Sequence, residues 1–263
     1  MSRYQAMFAR NDGAFGAFVM LGDPDLASSA AILDELVAGG ADMIEAGIPF
    51  SDPIADGPVI QAAAVRALGA GVRPADCFAL LRAFRARHPD VPIGILTYAN
   101  LVLAQGRDAF YRAAREAGAD SVLVADVPVM EAAPFVAAAR AWGIAPVLIA
   151  AANTPPDRLR QIARLGAGYT YCVARPGVTG ADENVRFDHR EMLAVLRGAG
   201  APPPVFGFGI ARPDHVRAAL EAGAAGVISG SAIVDLVARG EPVRGFVEAM
   251  KAATRSLCTA GTG

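Results

Sequence analysis

The sequence predicts an α/β protein, a (β/α)8 barrel forming one domain over residues 1–263, and three observations carry that expectation. One phrase recurs at four places: Ala38-Gly39-Gly40-Ala41-Asp42 before Met43, Glu116-Ala117-Gly118-Ala119-Asp120 before Ser121, Leu165-Gly166-Ala167-Gly168 before Tyr169, and Glu221-Ala222-Gly223-Ala224-Ala225-Gly226 before Val227. In each, a helical pattern stops, glycine supplies a left-handed residue, and a short apolar run follows, which is the αβ joint of a parallel sheet. Second, four further apolar runs fit between these joints, giving eight strands at a spacing of roughly 25 to 50 residues, the βα period. Third, 263 residues with no linker-like shift in composition suit one barrel.

In chain order the strands are read as Ala17–Leu21, Met43–Glu45, Pro92–Thr97, Ser121–Val124, Ala145–Ile149, Tyr169–Val173, Pro204–Gly207 and Val227–Ser229. They are short and apolar, with no polar face, as strands covered on both sides must be. Helical spacing of apolar residues follows each: Leu26–Val37, Ala75–Arg87, Asp108–Glu116, Glu131–Ala141, Pro156–Leu165, His189–Arg197, Pro213–Glu221, then Ala232–Ala238 and Val243–Leu257. An open doubly wound sheet satisfies the same period, because periodicity does not show closure. The last residues, about 258–263, are expected to form a disordered tail.

Composition excludes several classes. Hydrophobic residues make up 54% and charged residues 19%, so the chain is not disordered. Mean hydropathy is +0.36, yet the longest uncharged stretches, Val91–Gly106 and Ala141–Pro156, reach only 16 residues and are broken by Pro, Gly, Asn or Gln. A spanning helix needs about 20. Net charge is −2 with no basic run, which gives nucleic acid or anionic membrane no purchase. The only lysine is Lys251, so Schiff-base chemistry has one candidate, on a helical pattern far from the polar loops. Cys77, Cys172 and Cys258 lack metal-ligand spacing and read as free thiols. His88, His189 and His215 read as surface residues of helices. The first twelve residues have no apolar core of a signal peptide.

In barrels the chemistry lies on loops after strands. Two such loops stand out, Gly47–Pro58 and Arg175–Asp188. Glu45 ends an apolar strand and by alternation points with Met43, so its carboxyl is expected to be desolvated and its pKa raised towards useful acid–base values. Asp56, on the following loop, can face it as a second carboxylate in a different environment. Asp23 and Asp52 each precede proline and read as turn residues. Gly207-Phe208-Gly209-Ile210 and Ser229-Gly230-Ser231-Ala232 are glycine-rich turns ahead of helices, in the seventh and eighth βα loops where many barrels bind phosphate. Thr179-Gly180 could close over the same anion. Tyr171 shares a face with Tyr169 and, on residue type alone, reads as core packing.

The run Ile44-Glu45-Ala46-Gly47-Ile48-Pro49-Phe50-Ser51-Asp52-Pro53-Ile54-Ala55-Asp56-Gly57-Pro58-Val59-Ile60-Gln61 closely resembles the tryptophan synthase α chain. Phe18–Pro24, Pro92–Val102, Asp120–Pro128, Gly168–Gly180, Gly207–Ile210 and Gly226–Val234 resemble it too, in the family's order and over nearly the whole chain. The resemblance implies a cytoplasmic barrel lyase of tryptophan biosynthesis that cleaves indole-3-glycerol phosphate to indole and glyceraldehyde 3-phosphate without metal or cofactor. It implies Glu45 as the proton-transferring group, Asp56 as acceptor of the indole N–H, and Tyr171 beside the reacting centre, against the packing reading. Phe18, Leu96, Leu123 and Ile228 would line the indole pocket; Gly180, Gly209, Gly230 and Ser231 would cradle phosphate; Thr179 would approach Asp56 from a lid. It also implies a β-chain partner that carries pyridoxal phosphate and receives the indole in an α2β2 heterotetramer, with Pro49, Asp52, Asn100 and Pro128 at the contact. A stand-alone lyase releasing free indole, or a non-catalytic regulatory partner of the β chain, are the alternatives. The sequence departs from the family pattern at Ala17, Met20, Ala150–Asn153 and Asp182–Asp188.

Overall fold

The computed structural model describes residues 1–173 and 189–255. Its elements are α1 (Arg3–Arg10), β1 (Ala14–Met20), α2 (Leu26–Ala38), β2 (Met43–Gly47), α3 (Pro58–Gly69), α4 (Pro74–Arg87), β3 (Ile93–Thr97), α5 (Ala99–Ala104), α6 (Arg107–Glu116) and β4 (Ser121–Val124). They continue as α7 (Ala133–Ala141), β5 (Ala145–Ala151), α8 (Pro156–Leu165), β6 (Thr170–Val173), α9 (Arg190–Gly198), β7 (Pro204–Gly207), α10 (Pro213–Glu221), β8 (Gly226–Ser229), α11 (Ser231–Ala238) and α12 (Arg244–Ala253). Each strand pairs in parallel with the next, and β1 pairs with β8, so the sheet closes. Closure settles the barrel against the open sheet. The expected tail at 258–263 and the end of the last expected helix, Ser256 and Leu257, lie outside the described residues.

The joints behave as the recurring phrase requires. Gly40, Gly118, Gly168 and Gly223 all have positive φ, between 79° and 102°, where a side chain would strain the backbone. The aspartates of the first two joints add a second device. Asp42 accepts the Phe15 N–H at 2.7 Å, and Asp120 accepts the Ile93 N–H at 2.9 Å, so each ties its own strand to the preceding one. Each carboxylate also takes a cation: Asp42 holds Lys251 Nζ at 2.6 Å, while Asp120 holds Arg85 at 2.7 Å and Arg3 at 2.9 Å. Lys251 is therefore buried at the end of the barrel where strands begin, remote from the loops that follow them.

Three helices were not expected from the sequence: α1, α3 and α5. The first carries a legible signal, a capping box in which Ser2 and Gln5 exchange side-chain-to-backbone bonds. It buries Tyr4 and Met7 and floors the barrel, with Tyr4 Oη 2.7 Å from Ser121 Oγ and its ring 5.4 Å from that of Tyr169. α3 opens on Pro58, whose fixed φ suits a first helical turn.

The reading of the histidines as surface residues is corrected for two of them. His189 and His215 are buried, His189 stacked on Phe206 at 5.1 Å. His189 faces β7 through that ring, and His215 faces the turn after β7, where its Nδ1 lies 2.7 Å from Gly209 O. Cys77 and Cys172 are buried free thiols, and burial pushes both up to about 12, leaving no reactive thiolate there; Cys258 lies outside the described residues.

Replacing Lys251 by Met leaves the half-buried Asp42 carboxylate without its cation. We expect a stability loss of about 3 kcal/mol in urea denaturation. Turnover at saturating substrate should stay within about twofold of wild type, since the lysine is remote from the strand ends that carry chemistry. Abolished turnover in a folded K251M protein would restore the Schiff-base reading.

Candidate active site

At the C-terminal ends of the strands lies a pocket enclosing about 710 Å³, open mouth included. Ten of the residues singled out from the sequence line it: Phe18, Glu45, Asp56, Leu96, Leu123, Tyr171, Gly209, Ile228, Gly230 and Ser231. Thr179 and Gly180, and the long loop that carries them, lie outside the described residues.

Glu45 sits mid-strand in β2, beside Phe18 of β1 and Gly94 of β3 in the register, and is 2% exposed. Alternation turns it inward with Met43, as expected. Tyr169 Oη donates to Glu45 Oε1 at 2.8 Å, and Oε2 is buried with no hydrogen-bond partner among the described residues. Burial pushes the carboxyl up to about 7; the Tyr169 hydrogen bond opposes the shift and the nearby Asp56 charge adds to it. Across from Glu45, Gly94 has no side chain, which leaves room for hydroxyls: a Cβ there would lie 3.0 Å from Ser121 Oγ and 3.2 Å from Tyr4 Oη.

Asp56 is held by the loop between β2 and α3. A backbone turn closes on it from Pro53, and Gln61 Nε2 donates to its carbonyl at 2.7 Å. Tyr98 Oη donates to Asp56 Oδ2 at 2.8 Å and accepts the Ala55 N–H at 3.3 Å, while Phe50 stacks on the Tyr98 ring at 5.2 Å. The carboxyl is 5% exposed, and burial raises it to about 6 against the pull of Tyr98. The two carboxyls thus sit in different environments, each raised by burial and each hydrogen-bonded by a different tyrosine.

Tyr171 points into the same pocket with its ring edge-on to Phe208, centroids 6.0 Å apart. The space it fills exists because residue 207 is glycine: a Cβ there would lie 2.0 Å from Tyr171 Oη. At the other side, Phe208 and Gly209 both have positive φ, +68° and +75°. They face Gly230 and Ser231 at the start of α11, where the first helical amides lack intrahelical acceptors and favour an anion.

Of the residues read as turn formers, Asp23 is buried and makes a two-pronged pair with Arg66, both distances 2.7 Å. Asp52 is exposed and accepts from Ser51 Oγ. Neither lines the pocket. Pro49 is buried, whereas Asn100 is exposed in the first turn of α5 and Pro128 is exposed on the loop beyond β4.

Sequence reasoning missed Tyr98 and Tyr169 as partners of the two carboxyls, and Ile60 and Ile149 in the lining. Tyr169 had a signal, since it shares the inward face with Tyr171. Tyr98, one residue beyond β3, had none: its partner is 42 positions earlier.

A closed parallel barrel gathering two buried carboxyls, an apolar slot and an anion-accepting backbone at its strand ends defines a barrel enzyme. Its pocket sets carboxyls beside apolar side chains and a glycine-containing turn. The chain belongs to the tryptophan synthase alpha chain family, whose model matches residues 4–260. It is 54% identical to the tryptophan synthase alpha chain of Shewanella amazonensis, over 97% of this chain and all of that one. It is 52% identical to that of Escherichia coli O157:H7, with the same coverage. Among solved structures it is similar to a Mycobacterium tuberculosis tryptophan synthase (TM-score 0.88, 30% identity, 97% of this chain and 98% of that one). It is also similar to a tryptophan synthase complex from Pyrococcus furiosus (TM-score 0.82, 34% identity, 92% and 99%).

The raised pKa of Glu45 has a signed consequence for stability. Its folded value, about 7, exceeds the ordinary 4.5, so the native state binds more protons between those pH values. Stability contributed by the neutral form is complete below about 4.5 and is lost as pH rises towards about 7. E45Q should therefore be more stable than wild type in urea at pH 8, with the difference vanishing near pH 4. A constant difference across that range would deny the shift. G207A should displace Tyr171 and lower turnover at least tenfold while the protein stays folded, on the order expected for a misplaced reacting-centre group; unchanged turnover would show that Tyr171 can move without cost.

Proposed function

We propose that this chain cleaves indole-3-glycerol phosphate to indole and glyceraldehyde 3-phosphate, with Glu45 as the acid–base group and Asp56 as a fixed anion beside the indole nitrogen. The observation that supports this most is the state of Glu45: buried, with one oxygen occupied by Tyr169, the other unpartnered, and a pKa of about 7. Such a carboxyl holds a proton at neutral pH and can give it up.

The chemistry balances on that single proton. Glu45 protonates indole C3, which makes the ring cationic at nitrogen. Asp56, whose carboxylate form is favoured by the Tyr98 hydrogen bond, accepts the ring N–H and stabilises that charge. The Glu45 carboxylate then takes the proton of the glycerol hydroxyl next to the ring. The O–H electrons form the aldehyde, the carbon–carbon bond breaks, and its electrons return to the ring as neutral indole. Glu45 ends protonated, as it began. Tyr171 packs beside the reacting centre, and Phe18, Leu96, Leu123 and Ile228 bound the indole slot. The phosphate sits on the backbone of Gly209, Gly230 and Ser231; the same reading assigns Gly180 and Thr179 to that end.

Acid–base chemistry suffices for this cleavage, so the reading gives the chain no cofactor and leaves pyridoxal phosphate to a β chain. Exposed Ile54, Leu103 and Met130 surround the pocket side of the barrel, on the loops and short helix after β2, β3 and β4. That apolar surface, with Asn100 and Pro128, is where the β chain docks in an α2β2 assembly. No helix among the described residues is long and apolar enough to cross a membrane, and a biosynthetic reaction with a diffusing sugar phosphate fits the cytoplasm.

Steady-state cleavage of indole-3-glycerol phosphate, with and without a cognate β chain, tests the reading. Cleavage should occur with the α chain alone and accelerate with β; a high rate unchanged by β would favour the stand-alone lyase. E45Q should abolish cleavage while affinity for glycerol 3-phosphate stays within roughly threefold, because the anion end is separate from the acid–base group. D56N should lose most activity. Normal turnover by either variant removes that residue from the mechanism.

A further inference from the structure

We infer that His215 is a positioning residue for the phosphate end of the pocket, fixing the backbone after β7 so that its amides face the substrate anion. The inference rests on the reading of the pocket proposed above.

Phe208 is the one non-glycine residue among those described with positive φ, followed by Gly209 in the same region. Left-handed backbone at a residue with a side chain costs about 1 kcal/mol or more, so neighbouring contacts must hold it. Two buried side chains from different elements do so by taking consecutive carbonyls. His215 Nδ1, in the first turn of α10, lies 2.7 Å from Gly209 O, and Ser229 Oγ, at the end of β8, donates to Ile210 O at 2.6 Å. A carbonyl oxygen only accepts, so Nδ1 carries the hydrogen. The Ala211 N–H approaches the same nitrogen at 3.3 Å, and the much shorter carbonyl contact decides the tautomer.

A trans peptide sets its N–H opposite its carbonyl. Anchoring the Gly209 carbonyl on His215 therefore aims the Ile210 N–H the other way. Among the described residues, the Gly209 and Ile210 amides donate to no protein acceptor, and both residues line the pocket with Gly230 and Ser231. The imidazole thus touches no substrate. It holds carbonyl oxygen, which would repel a phosphate, turned away from the anion site.

His215→Leu keeps the buried volume but removes the donor, and His215→Gln keeps a donor of similar reach. Calorimetric titration with glycerol 3-phosphate reports the anion end, and titration with indole reports the ring end. H215L should weaken glycerol 3-phosphate by about tenfold and raise KM for indole-3-glycerol phosphate similarly, with kcat and the indole affinity within about twofold. H215Q should return the glycerol 3-phosphate affinity to within about threefold of wild type. An H215L protein that binds glycerol 3-phosphate like wild type overturns the inference. So does one that loses both ligands equally, since general loosening would do that. A wild-type protein that binds indole but no glycerol 3-phosphate would instead overturn the phosphate reading beneath it.

Discussion

A carboxyl with one hydrogen bond and no cation, held inside a closed barrel, is the constraint around which this molecule is organised. Glu45 sits on the inner face of the closed sheet, 2% exposed, and meets the outside only through the pocket that it lines. In that setting an ionised carboxylate is costly, so the group keeps its proton to about 7. Tyr169 limits the shift without cancelling it. A cation in its place would pull the pKa down and remove the acid. The hydroxyls of Tyr4, Ser121 and Tyr169 instead form a neutral polar floor, and α1 exists to seal it from below.

The cations are spent elsewhere. Lys251 and Arg85 are buried against Asp42 and Asp120 at the end where strands begin. Those aspartates also accept strand amides, so the same residues that fix register absorb the positive charge. Stability and chemistry therefore occupy opposite ends of one barrel. At the working end, the carboxyls meet phenols and apolar side chains, and the Gly209 and Ile210 amides beside them donate to no acceptor among the described residues.

Much of the fold was legible because the joints are local. Helix stop, left-handed glycine and apolar run lie within about ten residues, and the αβ geometry follows from their chemistry. The pair Glu45 and Asp56 was legible for the same reason, one on a strand and one on the loop that follows it. Closure was not legible: the pairing of β1 with β8 joins residues more than 200 positions apart, which no local pattern encodes. Nor were the partners that set the two pKa values, since Tyr169 meets Glu45 across 124 positions. His215 was misread because its helix shows an ordinary amphipathic period, while its burial comes from the loop before it and the strand beside it. The resemblance to the family supplied a role for Tyr171 that residue type alone did not.

The division between side-chain acid–base groups and backbone anion binding has a consequence for how the two carboxyls can work together. When an apolar ring enters the slot it displaces water from both, and desolvation raises both pKa values. For Glu45 this strengthens the protonated state that the first step needs. For Asp56 it opposes the ionised state, unless other donors compensate. Tyr98 already donates to one oxygen, which leaves the other to take the ring N–H, a donor that grows stronger as the ring becomes cationic. In the proposed mechanism the Asp56 carboxylate therefore faces a growing cation, while Glu45 keeps the proton that burial favours.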